Sequence, residues 1–275
     1  NAIQMFTKAK ELQPDNQNSY YNLALIKKEQ GLNEEAIELL LKVLDLNPEH
    51  SDAKFNISII KNENGLPEEA KKFLLEILET DQKYEKAPKY LAAIALKQER
   101  FEEVWRYYEY RWKAVPQNQV IWPFQHKPLW QGERGKRVSL WREQGIGDDI
   151  IFLSLVREVK EMCKSLSVYV DQRLQDLCKR AMPEINFVKD LAELEGIECD
   201  YHLPLGSVPG LIRNDISDFD RTVKGYMKAD PLRVETIRNE LKLKDKMVIG
   251  ISWKSINSLK KSIQLKDMER IFSGL

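Results

Sequence analysis

The stretch NEEAIELLLKVLDLNPE (33–49) decides the fold of the first half of the chain, because it returns 34 residues later as PEEAKKFLLEILETDQK (67–83). Outward from it, the same step of 34 links Ala2, Ala36, Ala70 and Val104, and each is followed four residues on by Phe6, Leu40, Leu74 or Tyr108. A spacing of four keeps two side chains on one helix face. Leu23, Ile57 and Leu91, with Ala24, Ser58 and Ala92 directly after them, mark the preceding helix of each pair, and Gly31 and Gly65 fall in the turns between. Pro14, Pro48, Gln82 and Pro116 close the units at the same step; proline lacks an N–H donor and ends a helix. Small residues let paired helices approach, larger ones fill the gap, and each pair buries its apolar face against its neighbours.

This pattern resembles the tetratricopeptide repeat family over residues 1–115, with the first unit represented only by its second helix. Lys54 stands where an aromatic is usual and Gln82 where proline is usual, and the period survives both. The resemblance implies a concave groove open to a peptide or partner protein; a spacer and a dimerisation arm are the other readings, and no residue names a ligand. The polar run Lys61–Asn64 reads as a solvated face.

At 275 residues the chain is long enough for two units with separate cores. Its 43 Lys plus Arg offset 43 Asp plus Glu, which removes the basic field that nucleic acid or anionic membrane would need. Cys163, Cys178 and Cys199 show no metal-ligand spacing, so buried, reduced thiols and a cytoplasmic location are expected. No apolar run approaches the roughly 20 residues of a membrane span.

From Phe101, FEEVWRYYEYRW crowds aromatics into one expected helix, more than a water-facing cap requires. Residues 116–135, punctuated by Pro116, Pro123 and Pro128, read as a connector anchored between domains by Trp122, Phe124 and Trp130. A sugar-stacking platform at Trp122 or Trp130 is the alternative.

Residues 136–229 change period. RVSLW (137–141), REQGIGDD and IIFLSLVREVKEMCK read as strand, glycine turn and helix; LSVYVD, a helix over 172–181, INFVKD and CDYHLPL continue the alternation of a Rossmann-like parallel sheet. Ligands of such sheets collect beyond the carboxyl ends of the strands, where Gly145 and Gly147 would let the backbone come close. Asp148 at that turn suits either a general base or a helix cap. Ile150 occupies the third glycine position of GxGxxG and no GK[ST] is present, so dinucleotide and P-loop readings are weak. His126 and His202 fall at the joint and at a strand end, where packing or hydrogen bonding is expected.

The runs EVWRYYEYRW, KPLWQGE, REQGIGDDIIF, CDYHLPLGSVPG, GYMKADP and VIGISWKS together resemble bacterial proteins in which tetratricopeptide repeats precede a heptosyltransferase-like domain of glycosyltransferase family 9. That resemblance implies the two-Rossmann GT-B fold and metal-independent, inverting transfer of a sugar from a nucleotide-sugar to an acceptor hydroxyl, with no cofactor. The acceptor, a glycan, lipid-linked saccharide or protein, would lie on the first Rossmann domain. Asp148 matches the family's GD aspartate, the expected general base, and Glu143, Gln144, Gly145 and Gly147 match its surrounding loop. Asp149 replaces the usual threonine, adding a charge that either perturbs the base or sits in solvent. Residues 230–245 are the expected linker helix and 246–275 the start of the nucleotide-sugar domain, with Lys254, Ser255 and Lys261 as donor contacts that neutralise the departing diphosphate. Only the first part of that domain is present, so a fragment truncated at both ends, without a complete donor site, is expected. The competing reading is a non-catalytic interaction scaffold with a degenerate or incomplete α/β domain.

Overall fold

The computed structural model describes residues 2–113, 122–219 and 225–243. Lys254, Ser255, Lys261 and the rest of the expected nucleotide-sugar segment lie outside the described residues. Residues Asn1–Met227 form one compact unit and Lys228–Leu275 a second.

The first unit opens with the repeats. Helices α1 (Ala2–Leu12), α2 (Gln17–Glu29), α3 (Asn33–Leu46), α4 (Ser51–Glu63), α5 (Pro67–Thr80), α6 (Lys86–Lys97) and α7 (Phe101–Tyr108) follow one another, with α2–α3, α4–α5 and α6–α7 as the packed pairs. The 34-residue marks are the core: Ala36, Leu40, Ala70, Leu74, Ile57 and Leu91 are fully buried. Lys54 is accommodated because its stem is buried while its Nζ pairs with Glu76 at 3.0 Å. Gln82 needs no proline in its place. Asp81 Oδ1 accepts from Lys83 N (3.1 Å), as Asn47 Oδ1 accepts from Glu49 N (3.2 Å) one repeat earlier, and each side chain closes its turn. The expected single helix over 101–112 stops at Tyr108 and tightens into a 3₁₀ turn, Glu109–Trp112.

The second half of this unit is a four-stranded parallel sheet. Strands β1 (Arg137–Trp141), β2 (Ser165–Tyr169), β3 (Asn186–Val188) and β4 (Tyr201–Pro204) lie in the order β3-β2-β1-β4. The inner residues of β1 are buried on both faces, as central parallel strands require. Helices α8 (Ile146–Leu153) and α9 (Val156–Met162) link β1 to β2, α10 (Gln175–Ala181) links β2 to β3, and α11 (Leu191–Glu195) lies on the return to β4. The expected continuous helix after GIGDD is thus two. Ser154 Oγ turns back to Ile151 O at 2.6 Å, taking a carbonyl out of the helical ladder where the break falls. After β4 come a 3₁₀ turn, Leu205–Ser207, and the short α12 (Pro209–Ile212).

Of the expected anchors, Trp130 is fully buried, with its indole N–H donating to Glu133 O (2.9 Å), which removes it as a sugar platform. Trp122 packs against Trp112 and Trp141, at ring separations of 4.8 and 5.5 Å. His202 is buried, receives the Trp141 indole N–H at Nδ1 (3.1 Å) and sits 3.2 Å from Lys127 O through Nε2. Its pKa is lowered by burial. His126, where packing or hydrogen bonding is expected, is exposed and so does not pack. All three cysteines are buried and free, and burial pushes the Cys163 and Cys178 thiols up to about 11. The second unit is described only around α13 (Pro231–Glu240), which Asp230 caps by accepting from Arg233 N (3.1 Å). Among the described residues no helix is long and apolar enough to cross a membrane.

Candidate functional site

The sheet runs outward from β1 to β2 to β3 and then returns to place β4 on the other side of β1. The carboxyl ends of β1 and β4 therefore flank the point where strand order reverses, which is where open α/β sheets bind ligands. The loop after β1 (142–145) and the 3₁₀ turn after β4 meet there.

Glu143 fills that crevice. Its side chain retains only 8% exposure, and its carboxylate is 3.4 Å from Gly206 N on the β4 side. A Cβ on Gly206 would lie 2.5 Å from Glu143 Oε1 and 3.3 Å from both Phe152 and Tyr108, so a larger residue there would push the Glu143 carboxylate aside. The other partner comes from the repeats: Arg111, in the turn after α7, donates through Nη2 to Glu143 Oε1 (3.0 Å) and Ser207 Oγ (2.7 Å). The Arg111 guanidinium also lies over the rings of Tyr108 (4.4 Å) and Trp112 (4.7 Å). Burial raises the Glu143 pKa, opposed by Arg111 and by the Gly206 N–H. Burial likewise pushes Tyr108 up to about 12.

Asp148 and Asp149 diverge. Asp148, on the first turn of α8, is exposed and reaches back to accept from Gly145 N at 3.2 Å, one arm of a capping box. Asp149 is neither in solvent nor available to a ligand: it is 1% exposed and receives Arg142 Nε at 2.6 Å. Burial still raises its pKa, against the lowering influence of Arg142. Asp171, at the end of β2, carries the network outward through a 3.6 Å contact with Arg142 and a 2.8 Å contact with Arg173. Neither Gly145 nor Gly147 has a positive φ, and a Cβ on Gly147 would meet nothing within 4 Å, so open space stands over that turn.

Gln144 lines a cleft of about 340 Å³, together with Pro88, Lys89 and Ala92 of α6 and with Tyr107, Tyr108 and Arg111. Glu143, Gln144, Gly145, Gly147 and Asp148 are thus gathered within one loop and helix turn, as the sequence indicates. Arg111, Tyr108, Gly206 and Ser207 were not legible as site residues. Among the described residues no group of three or more His, Cys, Asp and Glu side chains is arranged to hold a metal ion.

Residues 28–96 match the family model of the tetratricopeptide repeat, and that stretch is a tetratricopeptide array. Over 188 residues the chain is 28% identical to Protein FlbA of Caulobacter vibrioides, an alignment covering 60% of this chain and 30% of that protein. The chain therefore spans under a third of that relative's length. Among solved structures, MamA aligns with 41% of this chain and 66% of its own, at 16% identity and a TM-score of 0.38. An O-GlcNAc transferase mutant from Thermobaculum terrenum aligns with 68% of this chain and 37% of its own, at 16% identity and a TM-score of 0.37. Scores of this size assign neither fold nor activity.

Proposed function

We propose that this repeat-bearing chain is the acceptor-side part of a metal-independent, inverting sugar transferase, with Asp148 as the general base. The acceptor hydroxyl oxygen would bond to the anomeric carbon of a nucleotide-sugar, its proton would pass to the Asp148 carboxylate, and the bond to the nucleoside diphosphate would break. The single observation that carries this reading is an exposed carboxylate on the first turn of α8, beyond the carboxyl end of β1 and beside the strand-order reversal. Glu143, Gln144, Gly145 and Gly147 would form the acceptor loop, and Lys254, Ser255 and Lys261 would meet the leaving diphosphate. The inner face of the repeats, ending in the cleft beside Gln144, would dock the acceptor.

A second reading has its own observation. The Asp148 carboxylate already accepts from Gly145 N, so its role would be confined to capping in an interaction scaffold whose repeats hold a protein partner. Asp148→Asn separates the two, because the amide oxygen preserves the cap and abolishes the base. In the full-length protein, with turnover scored as nucleoside diphosphate released from a panel of nucleotide-sugars, we expect this variant to keep its melting temperature. Its acceptor-dependent rate should fall by about 10²–10⁴-fold. An unchanged rate would remove Asp148 from the chemistry and leave the scaffold.

A further inference from the structure

The period that builds the array also points to a residue that leaves it. Val43, Ile77 and Arg111 occupy the same register, one step of 34 apart. Val43 and Ile77 are fully buried in the cores between helix pairs. Arg111 is nearly as enclosed, with 13% of its side chain exposed, yet it carries a permanent charge. Its contacts account for that substitution. Nη1 meets Tyr108 O (3.2 Å) and Glu109 Oε1 (2.7 Å), and Nη2 meets Glu143 and Ser207 in the α/β half. Nε is buried without a partner, so the group is held by its two terminal nitrogens and by its contacts with the Tyr108 and Trp112 rings. A solvated surface arginine would show neither two close ring contacts nor a fork shared between two halves of the fold.

We infer that Arg111, supplied by the repeat array, is a positioning residue of the α/β crevice: it fixes the Glu143 carboxylate against Gly206 and thereby sets the loop that carries Gln144 and leads into Asp148. The reactive meaning of that loop rests on the transferase reading; the placement of Glu143 by Arg111 does not. The array is on this view more than a docking arm. It completes the crevice, and an occupant of the cleft beside Gln144 touches the same arginine that holds Glu143. The charged and titratable groups facing Glu143 are Arg111 and Glu109 from the 3₁₀ turn and Tyr108 from α7, with Asp148 of α8 acting on Tyr108 in turn.

Carbon-13 NMR of the Glu143 carboxyl in the whole chain tests this, comparing the wild type with Arg111→Lys and Arg111→Met. The expected result is a Glu143 titration midpoint higher by about 1 to 3 pH units in Arg111→Met, a smaller rise in Arg111→Lys, and altered amide shifts at Gln144 and Gly145 with β3 unchanged. A midpoint that stays put in both variants overturns the inference. Should Arg111→Met fail to fold, Arg111→Lys keeps the midpoint readable, and Arg111→Met/Glu143→Gln, which strands no charge, should fold again; failure of that pair would assign Arg111 a packing role instead. The transferase reading fails separately: an Asp148→Asn rate equal to wild type leaves the Glu143 titration result intact.

Discussion

Helices α3 and α5 end in the same way and α7 does not, although all three share one register. At the first two, Leu40 and Val43, then Leu74 and Ile77, are fully buried among the neighbouring repeat helices. At the third, the equivalent positions are Tyr108 and Arg111, and their neighbours are Phe152, Gly206, Glu143 and Ser207. One periodic surface is thus used twice for repeat packing and once to cover the switch point of a parallel sheet. The period fixes that a position is enclosed. What encloses it decides whether an aliphatic or a cation belongs there.

The hardest break of this contrast is Val43→Arg. It places the cation of the last register position in the first, inside the apolar cluster of Ala24, Ala36, Leu40, Ala53 and Ile57. A buried, unpaired charge is among the few changes that cost more than about 4 kcal/mol. We expect guanidinium titration to show the early repeats unfolded, or melting separately from the sheet. A single transition near the wild-type midpoint would mean that register position does not determine enclosure.

The reverse exchange, Arg111→Met, restores an apolar register residue and strands Glu143. Removing one partner of an enclosed pair typically costs about 3 kcal/mol, and Glu143→Gln in the same chain should recover most of it. The pH dependence follows from the raised Glu143 pKa. The folded state holds the Glu143 proton more tightly than the unfolded chain does, so this group's contribution to stability falls as pH rises from about 4.3, the ordinary glutamate value, through the folded value. Without Arg111 that folded value moves higher and the fall deepens. Acidification from pH 7 towards pH 5 should therefore narrow the gap between Arg111→Met and wild type in urea midpoint. A gap that is constant or widens on acidification would show that Arg111 does not compensate the Glu143 charge.

These two halves also differ in how much of them the sequence discloses. The repeats depend on contacts within about one period, so Ala36, Leu40 and their equivalents mark the core directly, and even Gln82 follows once Asp81 is seen to close the turn. The alternation of strands and helices followed from the hydrophobic runs, whereas the order of the strands comes from the structure alone. The crevice did not follow. Arg111 and Glu143 are 32 residues apart and Arg111 and Ser207 are 96 apart, and no local pattern brings them together. Asp148 and Asp149 were legible as a pair of carboxylates, but which one turns inward depends on the phase of α8 against the sheet and on Arg142 waiting there. One signal was present and unused: in a register that reads Val43 and Ile77, an arginine is out of place unless an acid faces it.

The smallest effect concerns a third shared position, the turn within each helix pair. Gly31 and Gly65 have φ of 76° and 78°, and Glu99, one further step of 34 along, is held at 56° in the same left-handed region. The hydrogen bonds explain why it complies. Leu32 N reaches Lys27 O (3.0 Å), Leu66 N reaches Lys61 O (2.9 Å), and Arg100 N reaches Ala95 O (3.0 Å), so one C-terminal helix motif is imposed three times. A Cβ at Gly31 or Gly65 would meet nothing within 4 Å, which makes the penalty at these turns one of backbone conformation and not of packing. Glu99→Gly should relieve that penalty, about 1 to 2 kcal/mol for an L-residue, while the greater freedom of glycine in the unfolded chain takes back about half. The net expectation is a gain of roughly 0.5–1 kcal/mol in urea denaturation, with Gly65→Glu losing a similar amount. Equal and negligible changes in both would mean that the third turn is shaped by the α/β half it adjoins and no longer by the repeat.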